Sequence, residues 1–129
     1  MKMTIPRLYS GADGKSHWGD VEFDMTSVTS LKATTEKSTP ENAQRISFRI
    51  APADCFQDFH PAPCRQYVIT LQGEAVFTTG DGDSRQFGPG GIFLAEDMTG
   101  QGHSSRGIGT IPRLSCYILL EDQKVTGTK

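Results

Sequence analysis

The sequence predicts an all-β domain, a sandwich or barrel built from seven or eight short strands. Three observations predict it. Ten of the fourteen glycines fall between Gly73 and Gly109, where they interrupt short apolar segments as turns do. Apolar and polar residues alternate at period two in several of those segments. Helical periodicity is hard to find anywhere along the chain.

Each element follows from its local pattern. From Arg45 to Ile50, Ile46, Phe48 and Ile50 share one face and Ser47 and Arg49 the other, which predicts a half-buried strand. Gln66 to Leu71 alternates again, with Tyr67, Ile69 and Leu71 opposite Gln66, Val68 and Thr70; the second set makes an unusual inner face because it includes an amide. Gly73 breaks the chain, Glu74 to Thr79 resumes a strand, and Gly80-Asp81-Gly82-Asp83-Ser84 is a hairpin loop into Arg85-Gln86-Phe87. After the turn Gly88-Pro89-Gly90-Gly91 comes a short buried strand, Ile92 to Ala95. Arg113 to Leu120 closes the domain with Leu114, Cys116, Ile118 and Leu120 on one face. The first forty residues read differently. Thr26 to Thr39 holds eight Ser or Thr among fourteen residues and Pro40 follows, so residues 1–40 are expected to form an irregular N-terminal arm. Residues 41–122 are the expected barrel core of a single domain spanning 1–129.

Fifteen acidic against thirteen basic side chains leave a net charge of −2 and no basic field, so a nucleic-acid partner is not expected. No secretory core segment is seen in Met1 to Arg7, and runs such as Tyr117 to Leu120 are too short to cross a bilayer; a cytoplasmic, membrane-free location is expected. Cys55, Cys64 and Cys116 are an odd set without C-x-x-C spacing, expected to be reduced and to serve packing.

The chemistry concentrates on two of the three histidines. His60 sits in Asp58-Phe59-His60-Pro61-Ala62-Pro63 and His103 in Gly100-Gln101-Gly102-His103, both where strands meet open loops from which an imidazole can reach a cavity. Gln66 lies six residues after His60. In an extended segment that even spacing puts His60, Ala62, Cys64, Gln66, Val68 and Thr70 on one face. Asp97 suits the turn before His103 and is expected to position it through the loop backbone. Arg49 and Tyr117, with Val68 and Trp18, are the candidate substrate-binding residues, Trp18 on condition that the arm folds over the barrel.

The stretch His60-x-Ala62-x3-Gln66-x6-Gly73 resembles the first motif of the small single-domain cupins, G-x5-H-x-H-x3-4-E-x6-G, with Asp54 at the usual opening glycine. Pro89-Gly90-Gly91 with His103 looks like the second, with a longer gap to the histidine. The chain is also similar to an uncharacterised cupin subgroup in three places: Asp13-Gly14-Lys15-Ser16-His17, His60-Pro61-Ala62-Pro63-Cys64-Arg65-Gln66-Tyr67 and Glu96-Asp97-Met98-Thr99-Gly100-Gln101-Gly102-His103. Cys64 replaces that subgroup's usual arginine.

The resemblance implies a jelly-roll-type cupin β-barrel. It places His60, Gln66 and His103 on three of four metal-ligand positions and Ala62, which cannot ligate, on the fourth. It also implies a homodimer, with residues 21–25 as the candidate exchanged strand. Two pictures use the same residues: a divalent zinc, iron, nickel or manganese ion with an open shell, or bare imidazoles acting as acid and base without metal. The expected function is proton-transfer chemistry of the isomerase, dehydratase or decarboxylase type on a small carbonyl or carboxylic compound, catalysed by His60, His103 and Gln66. The alternatives are a non-catalytic small-molecule binding cupin and a metal-dependent oxygenase.

Overall fold

The computed structural model describes residues 1–126. Eleven strands form in chain order: β1 (Lys2–Ser10), β2 (Ser16–Ser30), β3 (Ala33–Ser38), β4 (Ala43–Ala51), β5 (Phe56–His60), β6 (Gln66–Gln72), β7 (Glu74–Thr78), β8 (Ser84–Phe87), β9 (Ile92–Glu96), β10 (His103–Ile108) and β11 (Arg113–Leu120). They assemble into a seven-stranded sheet, β3-β2-β1-β9-β6-β11-β4, and a four-stranded sheet, β5-β10-β7-β8. Every neighbour pair within these sheets is antiparallel except β1 with β9. The all-β class and the jelly-roll-type arrangement hold. The closed barrel does not: the two sheets face each other across a core and no strand pairing joins them among the described residues.

The irregular arm expected over residues 1–40 is also corrected, since it supplies three of the strands. Val21, Phe23 and Met25 are half-buried and alternate with exposed Asp20, Glu22 and Asp24, and the Thr-rich stretch beyond is rich in β-branched residues that favour extended backbone. The β2–β3 turn is tight, with φ of 50° at Leu31 and 64° at Lys32, the left-handed pair that a two-residue hairpin needs. Because neither is Gly, Asn or Asp, the usual hairpin signal is missing from the sequence. Residues 21–25 are likewise not a free strand: Val21 and Phe23 pair with Ile5 and Met3 of β1, and Met25 pairs with Ser38 of β3.

The core lies between the sheets. Val68, Phe93 and Ala95 from the large sheet meet Ala75, Phe77 and Phe87 from the small one. Its centre is aromatic, with Phe77–Phe93 and Phe87–Phe93 centroids at 4.9 and 5.1 Å. Each such pair contributes about 0.5–1.5 kcal/mol beyond area burial. A second cluster, Ile5, Leu94 and Leu120 with Phe23 and Tyr67, sits on the opposite face of the large sheet. There the Tyr67 hydroxyl donates to Glu41, and burial followed by that carboxylate pushes the phenol well above its usual range. On edge strand β4 the expected half-burial fails: Ile46, Phe48 and Ile50 are 61%, 64% and 74% exposed, because Arg49 on the other face is the side turned toward the cavity.

One buried ion cluster ties the sheet to the C-terminal segment. Glu96 accepts from Arg7 Nε at 2.5 Å, Arg65 Nε at 2.6 Å, and the Thr126 amide and hydroxyl at 2.8 Å each. Burial works to raise the Glu96 carboxyl, but Arg65, Arg7 and Thr126 together hold it below its ordinary value of 4.5.

Candidate functional site

His60 ends β5 and His103 begins β10, and the two are directly opposite in the ladder, with ring centroids 4.9 Å apart. Gln57 and His60 are three residues apart, which a regular strand would send to opposite faces. A register irregularity between the pairs His103–His60 and Ser105–Gln57 inserts one extra residue in β5, and both side chains line the same cavity. Gly102 makes the approach possible. It holds φ at +77°, and a Cβ there would stand 2.0 Å from the His60 carbonyl oxygen.

His60 and Gln66 do line one cavity, but not by sharing a strand face as the spacing implied. The bend at 61–65 carries the chain from the small sheet to the large one, so the imidazole and the amide enter from opposite walls. Ala62 lies between them, anchored by its amide donating to the Asp97 carbonyl at 3.0 Å. The cavity, about 60 Å³, is lined by His60, Ala62, Gln66, Val68, His103 and Tyr117 among others, and Arg49 stands at its edge with Cζ 4.4 Å over the Tyr117 ring. A second chamber of about 60 Å³ shares Arg49, Gln57, Arg113 and Tyr117 with it.

The hydrogen bonds set the tautomers. Asp97, fully buried, contacts His103 Nδ1 through Oδ2 at 2.6 Å, so it positions the ring directly rather than through the loop backbone. His60 Nδ1 donates to the Asp58 carbonyl at 2.8 Å. Both rings therefore keep Nε2 free. The Cys64 thiol donates to Gln66 Oε1 at 3.7 Å, which leaves the Gln66 NH2 group for other acceptors. Burial raises the Cys64 thiol, which disfavours the thiolate a nucleophile needs, and the residue sits in the bend rather than on the inner strand face.

Trp18 is not at the site. Its ring packs on Phe87 and Phe93, both at 5.6 Å, and its Nε1 donates to the Asp83 carbonyl, which holds it at the far end of the core. The sequence reading also missed Arg113, buried on the same face of β11 as Ser115 and Tyr117; that shared parity was the available signal. The donor chemistry does not suit a tightly held divalent ion. Two imidazoles and one neutral amide face the cavity, Ala62 occupies the fourth position, and among the described residues no group of three His, Cys, Asp or Glu is placed to hold a metal.

No protein-family model matches the chain, and no curated protein matches it. Among solved structures it is similar to the Cnp3 cupin domain of Schizosaccharomyces pombe, at 18% identity and a TM-score of 0.45, over 77% of this chain and 84% of that one. It is similar to protein NMB1881 from Neisseria meningitidis at 18% identity and a TM-score of 0.43, over 69% and 91% of the two chains. The 3,5-epimerase RmlC from Legionella pneumophila, solved with dTDP-4-keto-L-rhamnose, aligns at 8% identity and a TM-score of 0.38, over 95% of this chain and 73% of that one. The likeness is one of fold alone.

Proposed function

We propose that this protein is an enzyme of proton-transfer chemistry, of isomerase, dehydratase or decarboxylase type, acting on a small carbonyl or carboxylic compound. The observation that carries the reading is the His60–His103 pair at 4.9 Å in a cavity, with one imidazole braced by a buried carboxylate. Asp97 stabilises the imidazolium that forms when His103 takes a proton from the carbon beside a carbonyl. The electron pair moves to the carbonyl oxygen, where the Gln66 amide donates a hydrogen bond to the developing oxyanion. His60 enters the step as the imidazolium, its Nδ1–H donated to the Asp58 carbonyl, and gives its Nε2 proton to carbon or to a departing hydroxyl. The reading needs no resident metal, in keeping with the donor set.

The setting is proposed as cytoplasmic, supported by three free cysteines. We further propose a homodimer, supported by the exposed Ile46, Phe48 and Ile50 stripe on edge strand β4.

Proton NMR in deuterated water tests the function: exchange of α-protons in a panel of small keto acids and aldehydes, with His60→Ala and His103→Ala as controls. Exchange catalysed by the wild type, with a bell-shaped pH profile lost in both variants, is expected. Tight binding without exchange of any compound would leave a binding protein and sink the enzyme reading.

A further inference from the structure

We infer that Arg113 is the anchor for a ligand carboxylate, which makes the substrate class of the proposed enzyme, on whose reading this rests, short-chain carboxylic acids. Arg113 is 8% exposed, yet its Nε and Nη2 are buried and find no hydrogen-bond partner among the described residues. The two other arginines of the interior, Arg7 and Arg65, share Glu96; Arg113 has no such counter-charge among the described residues. A guanidinium taken from water without compensation is costly, and its planar fork matches a carboxylate with two parallel hydrogen bonds.

Its placement suits a ligand that also reaches the histidines. Arg113 borders both chambers, and the Phe77 ring links the two functions: the guanidinium carbon lies 4.9 Å from its centroid and the His103 ring 6.0 Å. The backbone is built to bring β11 in. Gly73, at φ +79°, passes so near that a Cβ would meet Arg113 Cα at 2.9 Å. Arg49 adds a second positive charge at the rim. Size limits the class, since chambers of about 60 Å³ hold roughly four water-sized groups each. A carboxylate in one chamber and a carbonyl or hydroxyl carbon in the other is a short keto or hydroxy acid.

Isothermal titration of the full chain with pyruvate and with its uncharged analogue pyruvamide tests this. The wild type is expected to prefer pyruvate by about tenfold or more, the gain from charge-assisted hydrogen bonds. Arg113→Met is expected to erase the preference, and Arg113→Lys, which keeps the charge without the fork, to retain part of it. Thermal denaturation separates anchoring from a structural role: R113M is expected to melt no lower than the wild type in the absence of acid, while pyruvate raises the Tm of the wild type alone. Equal binding of the two probes, or an R113M that keeps the preference, overturns the inference. So does an R113M that melts well below the wild type without ligand. A His60→Ala, His103→Ala double variant keeps the two proposals apart. Selective pyruvate binding in that variant supports the anchor whether or not the wild type turns any acid over.

Discussion

Replacing Glu96 by Gln keeps the shape of the buried cluster and removes its only negative charge. The carboxylate accepts four hydrogen bonds from Arg7, Arg65 and Thr126, and its side chain is fully buried. The amide accepts through one oxygen only and turns an NH2 toward groups that are themselves donors, leaving two guanidiniums uncompensated. Removing one partner of a buried ion cluster costs about 3–5 kcal/mol. For a domain of this length that corresponds to a fall in Tm of roughly 12–20 °C. Urea unfolding followed by the fluorescence of the single tryptophan, Trp18, packed between Phe87 and Phe93, reads the loss directly. The pH dependence supplies a second check. Because the folded Glu96 carboxyl is held below 4.5, its contribution is complete above that value and is lost as pH falls through the folded pKa. Wild type and E96Q are therefore expected to converge in acid. Replacing Arg7, Arg65 and Glu96 together with apolar residues of similar size should recover much of the loss. A cost under about 1 kcal/mol near neutrality would refute the reasoning, as would a gap that stays constant into acid.

Four further outcomes are expected. His17 bridges Asp13, at 3.0 Å, and Asp81, at 2.9 Å, clamping the β1–β2 hairpin to the β7–β8 hairpin; the Asp13 hydrogen bond raises its pKa above 6.5. Its stabilisation is then present below 6.5 and lost as pH rises through the folded value, so hydrogen exchange at residues 11–15 should accelerate more with pH in the wild type than in His17→Gln. Gly102→Ala should destabilise by roughly 3 kcal/mol or more, measured by urea unfolding, because strain at φ +77° adds to a clash with His60. Gly82→Ala, at φ +90° with nothing within 4 Å, should cost about 1 kcal/mol. Sedimentation velocity should show a concentration-dependent dimer that Phe48→Glu shifts to monomer; a wild type that stays monomeric would remove the pairing proposal.

Much of the framework was legible because strand period alone carries it. The buried face Gln66, Val68, Thr70 is where alternation placed it, and His60 and His103 share a cavity as their motif positions implied. Period two, however, says that a strand has two faces and not which one meets the core. For that reason Ile46, Phe48 and Ile50 were expected to be half-buried although Arg49 is the residue turned toward the cavity. The N-terminal strands were hidden by polarity and by a Leu31-Lys32 turn that lacks the residues tight hairpins usually show. Arg113 was overlooked because a charged residue at a strand start reads as solvated, and its burial is decided by the Gly73 turn, a contact across 40 positions of chain.

The bend at 61–65 has a mechanical consequence. His60 and His103 are held in the small sheet and Gln66 in the large one, and no strand pairing among the described residues joins the two. The distance from the imidazoles to the amide is thus an inter-layer spacing, kept by the Phe77–Phe93 contact and the Ala62–Asp97 bond rather than by a backbone ladder. Any change in the separation of the two sheets therefore moves Gln66 relative to the histidines, while the β5–β10 ladder keeps His60 and His103 together.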